Sequence, residues 1–138
     1  MSYLKENDDW IEPIIYTTAM HPYTNHLLKI VDPEREVFKH CLYQNACYIF
    51  EIKEEDVLYL IKDISRFRNR DIRRSVLLDP KPTNYMMTPE NAIPVYPYTA
   101  EYVEQVFEGV KITDDHLLSL IGELDEIKDL EDIRPALQ

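Results

Sequence analysis

Glycine is scarce in this chain of 138 residues: only Gly109 and Gly122 occur, where average usage would give about ten. Glycine-rich phosphate loops need several glycines, because their backbone amides must approach the ligand closely. The scarcity therefore excludes a P-loop and a dinucleotide-binding fingerprint.

Cysteine is equally rare, since Cys41 and Cys47 are the only two. Two thiols do not build a disulfide framework. Their separation is wrong for a zinc knuckle, and the four scattered histidines complete no set of ligands. We expect two small buried thiols, no metal site and no cofactor.

Basic residues are outnumbered: 15 Lys and Arg stand against 26 Asp and Glu, for a formal net charge of −11. A negative field of this size repels phosphate backbones and anionic membranes. No apolar run reaches the roughly 18 residues that indicate a transmembrane helix. We expect no nucleic-acid partner and no direct membrane span.

What the chain does contain is an ordinary globular composition, 45% apolar and 30% charged, sized for one domain over residues 1–138. Short apolar runs alternate with helical patterns, which predicts an α/β layer fold with a mainly parallel sheet. The predicted strands are 14–17, those within 37–52, 57–61, 75–79 and 92–95, and the predicted helices are 2–9, 22–31, 99–108 and the segment after Thr113.

Three positions in this pattern are expected to mark a turn or the end of a helix. Gln44-Asn45 is the expected turn of a hairpin within 37–52. Gly109 is the expected stop of the helix Thr99–Glu108. Thr113 is the expected N-cap of the last helix.

Four segments carry a family likeness through their order and spacing. They are Ile14–Met20 followed by Asp32-Pro33, then Ile61–Ser65, then Val76–Asp79, and finally Pro89–Ile93, before a closing Asp132–Pro135. Together they resemble the HAD-superfamily phosphatase domain of the NLI-interacting-factor family. That family includes phosphatases of the RNA polymerase II C-terminal domain and, closest in detail, the presequence receptor of the mitochondrial inner-membrane translocase.

The resemblance implies roles for three residues. Thr17 matches the hydroxyl that binds a phosphoryl oxygen, Lys62 matches the lysine that neutralises the phosphoryl group, and Asp79 matches the acidic residue ending a strand. A hydroxyl, an ammonium and a carboxylate at the carboxyl ends of neighbouring strands would face one crevice. Each residue also has a purely structural interpretation. Thr17 would simply end a strand, Lys62 would form a surface ion pair with Asp63, and Asp79 would cap the turn that follows it.

Two departures from the family pattern argue against catalysis. The chain contains no Asp-x-Asp, the family's nucleophile motif, and begins near the helix that follows the strand carrying it. The active phosphatases usually have a magnesium ligand after the last acidic residue, where this chain has Pro80. Without a nucleophile, covalent phosphoryl transfer has no route. We expect a truncated HAD-like (Rossmannoid) parallel sheet with flanking helices and a small β-hairpin insertion, without the catalytic strand and without activity of its own.

Two further clusters of residues allow either a structural or a functional interpretation. Five arginines lie within residues 66–74, either as a phosphate-binding patch or as a solvated loop paired with the surplus acids. Four tyrosines close in sequence form a candidate protein-binding surface, because Tyr combines apolar area with a polar tip: Tyr85, Tyr96, Tyr98 and Tyr102.

Three functions follow as hypotheses. The first is a non-catalytic interaction subunit of a hetero-oligomeric assembly. The second is half of a split magnesium-dependent phosphatase whose partner supplies the missing strand. The third is a module that binds preproteins or peptides. The family likeness implies a mitochondrial inner-membrane setting, with the nucleus as the alternative.

Overall fold

The computed structural model describes residues 1–97 and 115–138. Six short strands and three α-helices make up the regular structure of these residues, joined by several single-turn 3₁₀ helices. In chain order they are α1 (Ser2–Glu6), β1 (Ile14–Tyr16), α2 (His21–Val31), β2 (His40–Leu42), β3 (Tyr48–Ile52), β4 (Val57–Ile61), β5 (Leu77–Asp79), β6 (Ala92–Pro94) and α3 (His116–Ile127).

The strands form three two-stranded sheets within the described residues. β1 pairs in parallel with β2, and β5 pairs in parallel with β6. Parallel neighbours need a crossover connection, and α2 supplies it between β1 and β2. β3 and β4 form an antiparallel hairpin beside them. The predicted parallel strands and small hairpin are confirmed, and the parallel strands fall into two separate pairs.

The predicted hairpin turn at Gln44-Asn45 is wrong. Residues Gln44–Ala46 form a 3₁₀ helix, and the hairpin turns instead at the acidic segment 53–56, where Asp56 has φ of 52°. The apolar run 37–52 is divided because β2 completes the parallel pair with β1 while β3 turns back on β4. Local strand preference could not reveal which partner each half would take.

The helix predictions have mixed outcomes. α2 follows the predicted apolar spacing, and Pro22 occupies its first turn, where a missing amide hydrogen costs nothing. α3 begins after Asp115 as its N-cap residue. The predicted helix Thr99–Glu108, its stop at Gly109 and the predicted cap Thr113 lie outside the described residues.

The core forms where the loop after β4 meets the second parallel pair. Ile64, Leu77, Tyr85 and Ala92 are buried together, and Tyr16, Phe67 and Ile72 pack against them. Tyr16 belongs to β1, so this one cluster joins both parallel pairs. Burial of such side chains contributes about 1.5–3 kcal/mol each.

The arginine segment 66–74 is largely structural. Arg70 pairs with Glu12, and Arg73 contacts Asp71 at 2.9 Å and Glu131 at 3.3 Å. Arg74 donates to the carbonyl of Ile127, the last residue of α3, and to that of Leu130 in the turn that follows. These contacts favour the interpretation as a loop paired with acids over a phosphate-binding patch.

Asn91 fixes the loop that precedes β5. Its side chain is fully buried, and its Nδ2 donates to the carbonyls of Ile72 at 2.6 Å and Ser75 at 2.7 Å. Thr88 is also buried, but its Oγ1 has no hydrogen-bond partner among the described residues.

We expect Asn91→Ala to lower the free energy of unfolding by about 1–3 kcal/mol, because it removes the two hydrogen bonds that the fully buried side chain donates to the carbonyls of Ile72 and Ser75. Urea denaturation followed by circular dichroism measures the change. Thr88→Val is the matched control and is expected to cost less than about 1 kcal/mol, since it removes a hydroxyl that accepts and donates nothing here. Equal losses in the two variants would contradict this account.

Asp32 organises the turn after α2. Its Oδ1 accepts from the amide of Glu36 at 3.1 Å, and its Oδ2 accepts from the amides of Val37 at 3.1 Å and Phe38 at 2.8 Å. These amides, that of Phe38 above all, hold the pKa of Asp32 below its usual value. The ionised carboxylate is therefore favoured in the folded chain.

We expect Asp32→Asn to destabilise the fold at pH 7 and to matter less in acid. A carboxyl group whose pKa is lowered by folding contributes stability above its unfolded pKa, and that contribution disappears as pH falls through the folded pKa. The gap in urea midpoint between the wild type and Asp32→Asn should therefore narrow below about pH 4. A gap that is constant from pH 7 to pH 3 would show that the amide contacts do not depend on the charge.

Candidate functional site

Lys62 and Asp79 meet in the interior, each at the end of a strand. Lys62 follows the last residue of β4, and Asp79 is the last residue of β5. The Lys62 ammonium pairs directly with Oδ2 of Asp79, and the two side chains are 11% and 1% exposed. The sequence-predicted lysine and aspartate are thus brought together, although 17 positions separate them.

The carboxylate of Asp79 is fully engaged within the protein. Its Oδ1 accepts from the Lys81 amide at 2.8 Å and from Nδ2 of Asn84 at 2.9 Å. Its Oδ2 accepts from Lys62 and, at 3.0 Å, from the same Asn84 nitrogen. The Asn84 carbonyl in turn accepts from the Lys62 amide at 2.7 Å. Four hydrogen bonds therefore hold Asp79, which confirms that it also organises the turn that follows it.

Asn84 is the site residue that sequence reasoning missed. It lies in the 3₁₀ helix Pro82–Tyr85, is buried, and links the ends of β4 and β5. Asn84 follows Asp79 by five residues. This spacing does not predict a contact between the two side chains unless the path of the turn is known.

Thr17 lies at the end of β1, and its hydroxyl serves a local turn. Its amide donates to the Leu42 carbonyl at 2.9 Å, and its Oγ1 accepts from the Ala19 amide at 3.0 Å. This is a Ser/Thr turn, in which the side-chain hydroxyl bonds to the backbone two residues further on. The Cys47 thiol lies 3.7 Å from the Thr17 carbonyl oxygen.

Cys47 lies beside the Thr17 end of the site. Burial raises the pKa of the Cys47 thiol, and the positive charge of Lys62 acts in the opposite direction. The raised pKa keeps the thiol protonated, as expected for a small buried cysteine. Thr17 and Cys47 therefore meet after β1, while Lys62 and Asp79 meet at the ends of β4 and β5.

The alternative of a surface ion pair between Lys62 and Asp63 is wrong. Asp63 instead accepts from the amide of Ser65 at 3.1 Å and from its hydroxyl at 2.5 Å, capping the next 3₁₀ helix. Lys62 pairs with Asp79 instead, so the two neighbouring side chains have different partners.

The four tyrosines do not form one surface. Tyr85 is 9% exposed and belongs to the core cluster with Ile64 and Ala92, so burial in the core removes it from the predicted interface. Tyr96 is 82% exposed, and its ring meets His116 edge to face at 4.9 Å. Tyr98 and Tyr102 lie outside the described residues.

The magnesium ion that active phosphatases of this type would need does not fit the residues present. Mg²⁺ requires free oxygen ligands with near-octahedral geometry. Both oxygens of Asp79 already accept hydrogen bonds, one of them from a cationic ammonium, and Pro80 offers no side-chain oxygen. No group of three or more His, Cys, Asp or Glu side chains gathers for a metal anywhere in residues 1–97 and 115–138.

Comparison with known families agrees with this arrangement of strands and strand-end residues. The profile of the NLI interacting factor-like phosphatases matches residues 2–134. The chain belongs to this family. Its fold is accordingly a truncated HAD-like α/β fold, in which the two parallel pairs carry the site and the β3–β4 hairpin is the insertion.

Several named proteins are similar to the chain over almost its whole length. CTD small phosphatase-like protein 2 of Dictyostelium discoideum is 31% identical over 99% of this chain and 21% of its own length. Carboxy-terminal domain RNA polymerase II polypeptide A small phosphatase 2 of Mus musculus is 27% identical, covering 98% and 43%. Mitochondrial import inner membrane translocase subunit TIM50 of Debaryomyces hansenii is 28% identical, covering 99% and 25%. The chain therefore spans less than half the length of each of these relatives.

We expect the buried pair to be strongly coupled. Lys62→Met and Asp79→Asn should each lower the free energy of unfolding by about 3–5 kcal/mol, because each leaves a buried charge without its partner. The double variant should cost less than the sum by about 0.5–3 kcal/mol.

The control is the exposed pair of Lys5 with Glu36, whose side chains are 50% and 59% exposed. Lys5→Met and Glu36→Gln should each cost less than about 1 kcal/mol, as surface pairs do. Urea unfolding of both cycles tests the contrast, and additive effects at Lys62 and Asp79 would contradict a buried pair.

Proposed function

We propose that this chain is a non-catalytic interaction subunit of a larger protein assembly, with the mitochondrial inner membrane as its setting. We treat residues 1–138 as one degenerate HAD-like domain, in which the Asp-x-Asp motif does not occur. The observation that carries the proposal is the state of Asp79, whose carboxylate is 1% exposed and bound by Lys62, Asn84 and the Lys81 amide.

An engaged carboxylate supports a structural role for this pair. A nucleophile or metal ligand must offer a free oxygen to the substrate or ion. Asp79 instead joins two strand ends, and Lys62 neutralises it rather than facing an open crevice. The sequence also contains no Asp-x-Asp motif that could supply the nucleophile in place of Asp79.

Exposed apolar side chains support an interaction role. On α2, Leu28 faces the interior, but Tyr23, Leu27 and Ile30 are 63%, 43% and 69% exposed along the other side of the helix. On the hairpin, Ile49 and Leu58 are 59% and 57% exposed. Apolar groups in continuous exposed stripes mark surfaces that proteins cover on assembly.

The relatives supply the proposed setting. Two matches are named as subunit TIM50 of the mitochondrial import inner membrane translocase, from Debaryomyces hansenii and Candida glabrata. Matches named as RNA polymerase II small phosphatases favour the nucleus as the alternative. No described helix, in 1–97 or 115–138, has the length and apolar character to cross a bilayer.

The second candidate is half of a split phosphatase. Thr17, Lys62 and Asp79 all follow the carboxyl ends of strands, which is where α/β folds bind ligands. A partner strand carrying two aspartates would give these residues a catalytic purpose. Pro80 and the engaged state of Asp79 are the observations against it.

The test is to isolate the chain from its source by a tag at Gln138 and to measure native mass, composition and phosphatase activity with magnesium. We expect a hetero-oligomer of fixed stoichiometry that fractionates with mitochondrial inner membranes and does not hydrolyse para-nitrophenyl phosphate. A fixed ratio of this chain to its partners is required to support the proposal, because proteins that co-purify by chance do not keep a constant ratio.

Two results would overturn the proposal. One is a free monomer in the native extract. The other is a small complex with a chain carrying Asp-x-Asp that hydrolyses the phosphate ester in the presence of magnesium, which would establish the split enzyme. Fractionation with nuclei would overturn the setting alone.

A further inference from the structure

Two of the five arginines in the segment 66–74 take no part in the contacts that hold this segment in place. Arg66 and Arg68 are exposed, and in the part of the chain that the structure describes neither forms an ion pair. The other arginines of the sequence each make at least one side-chain contact: Arg35, Arg70, Arg73, Arg74 and Arg134. The guanidinium groups of Arg66 and Arg68, which we call the arginine pair, are thus left to solvent.

The backbone that carries the arginine pair is held in place. Phe67, which lies between the two arginines in sequence, packs against the core cluster, with its ring 5.8 Å from that of Tyr16. The ion pair of Arg70 with Glu12 fixes the chain on the far side of the segment. Two residues of chain span at most about 7 Å, so the two side chains start from fixed points no further apart than that.

The carboxylates nearest to the arginine pair in sequence are already engaged. Asp63 accepts from the amide of Ser65 at 3.1 Å and from its hydroxyl at 2.5 Å. Asp71 accepts from the guanidinium group of Arg73 at 2.9 Å. The arginine pair is therefore a local concentration of positive charge on a chain whose net charge is −11.

The chemistry of arginine indicates which groups the pair can bind. A guanidinium group is always charged, and its planar set of N–H donors matches a carboxylate through two parallel hydrogen bonds. In an extended peptide, alternate side chains lie on one face and are about 7 Å apart. Two carboxylates at alternate positions therefore match the spacing of the arginine pair.

We propose that the arginine pair is the docking point for an extended acidic segment of a second protein, with Asp or Glu at alternate positions. The acidic surface elsewhere on the chain repels such a segment, so that repulsion directs it to this one point. This inference rests on the proposed interaction role and names the chemistry of the partner.

The probe is a peptide with blocked ends and two glutamates at alternate positions in an otherwise uncharged sequence. Two-dimensional NMR follows the side-chain Nε–H signals of the arginines in the full chain. The signals of Arg66 and Arg68 are assigned by their loss in Arg66→Lys and Arg68→Lys. We expect both to shift saturably at low salt, whereas that of Arg134, which is paired with Asp132, should not. A peptide with glutamines in place of the glutamates should cause no shift.

Variants of the pair separate arginine geometry from charge, with binding measured by fluorescence anisotropy of the labelled peptide. Changing both Arg66 and Arg68 to Gln should weaken binding at least about tenfold, and changing both to Lys should weaken it several-fold, because a lysine keeps the charge but not the paired donors. The matched control, Lys29→Gln with Lys39→Gln, removes the same charge from two exposed lysines and should leave binding unchanged. Binding to the unmodified chain should weaken at about 0.5 M salt.

The result has to be independent of folding and of the interaction role. Circular dichroism and urea unfolding establish that every variant is folded before it is compared. Phenylglyoxal, which modifies accessible guanidinium groups, is then applied to the isolated chain and to the assembly purified from its source. We expect mass spectrometry to find Arg66 and Arg68 modified in the isolated chain and protected in the assembly.

Equal modification in the assembly and in the isolated chain would overturn this inference and leave the interaction role intact. A chain that is monomeric in native extracts would overturn the interaction role, even if it binds the peptide. Protection in the isolated monomer would assign the arginine pair to a contact within the same polypeptide, and protection in a homodimer would assign it to a second copy, so either result would exclude the second protein. Equal binding of the glutamate and glutamine peptides, or no shift with either, would also contradict the inference.

Discussion

The buried contact between Lys62 and Asp79 holds together elements that share little else. It joins the end of the β3–β4 hairpin to the end of β5, and Asn84, in the 3₁₀ helix after β5, bonds to both residues. Removing either charge alone leaves the other in the interior without compensation. The contact between the hairpin end and β5, and the path of the turn after β5, depend on this pair.

The same contact satisfies two residues of a phosphatase-family site within the protein itself. A lysine and an aspartate that would otherwise serve a phosphoryl group satisfy each other, so the site remains stable with no ligand. Selection for folding is then sufficient to keep both residues.

Apolar surface is distributed unevenly over the described residues. One core cluster joins the two parallel pairs there, while α2 and the hairpin keep large apolar side chains in solvent. Exposed apolar side chains of this kind are groups that further contacts can cover. The acidic surface sets which contacts are favourable, since it attracts basic segments and repels anionic ones.

The sequence by itself determined the strands β1, β4, β5 and β6, the helix α2 and the family. Apolar periodicity and the order of the motifs depend only on the order of residues along the chain, so no contact between distant segments is needed to identify them. It also named Thr17, Lys62 and Asp79. Only the tertiary structure decided the division of residues 37–52 between two sheets, the pairing of Lys62 with Asp79 instead of Asp63, the part played by Asn84 and the burial of Tyr85. Each of these depends on which distant segment lies opposite, and neither strand preference nor residue type specifies a partner many positions away.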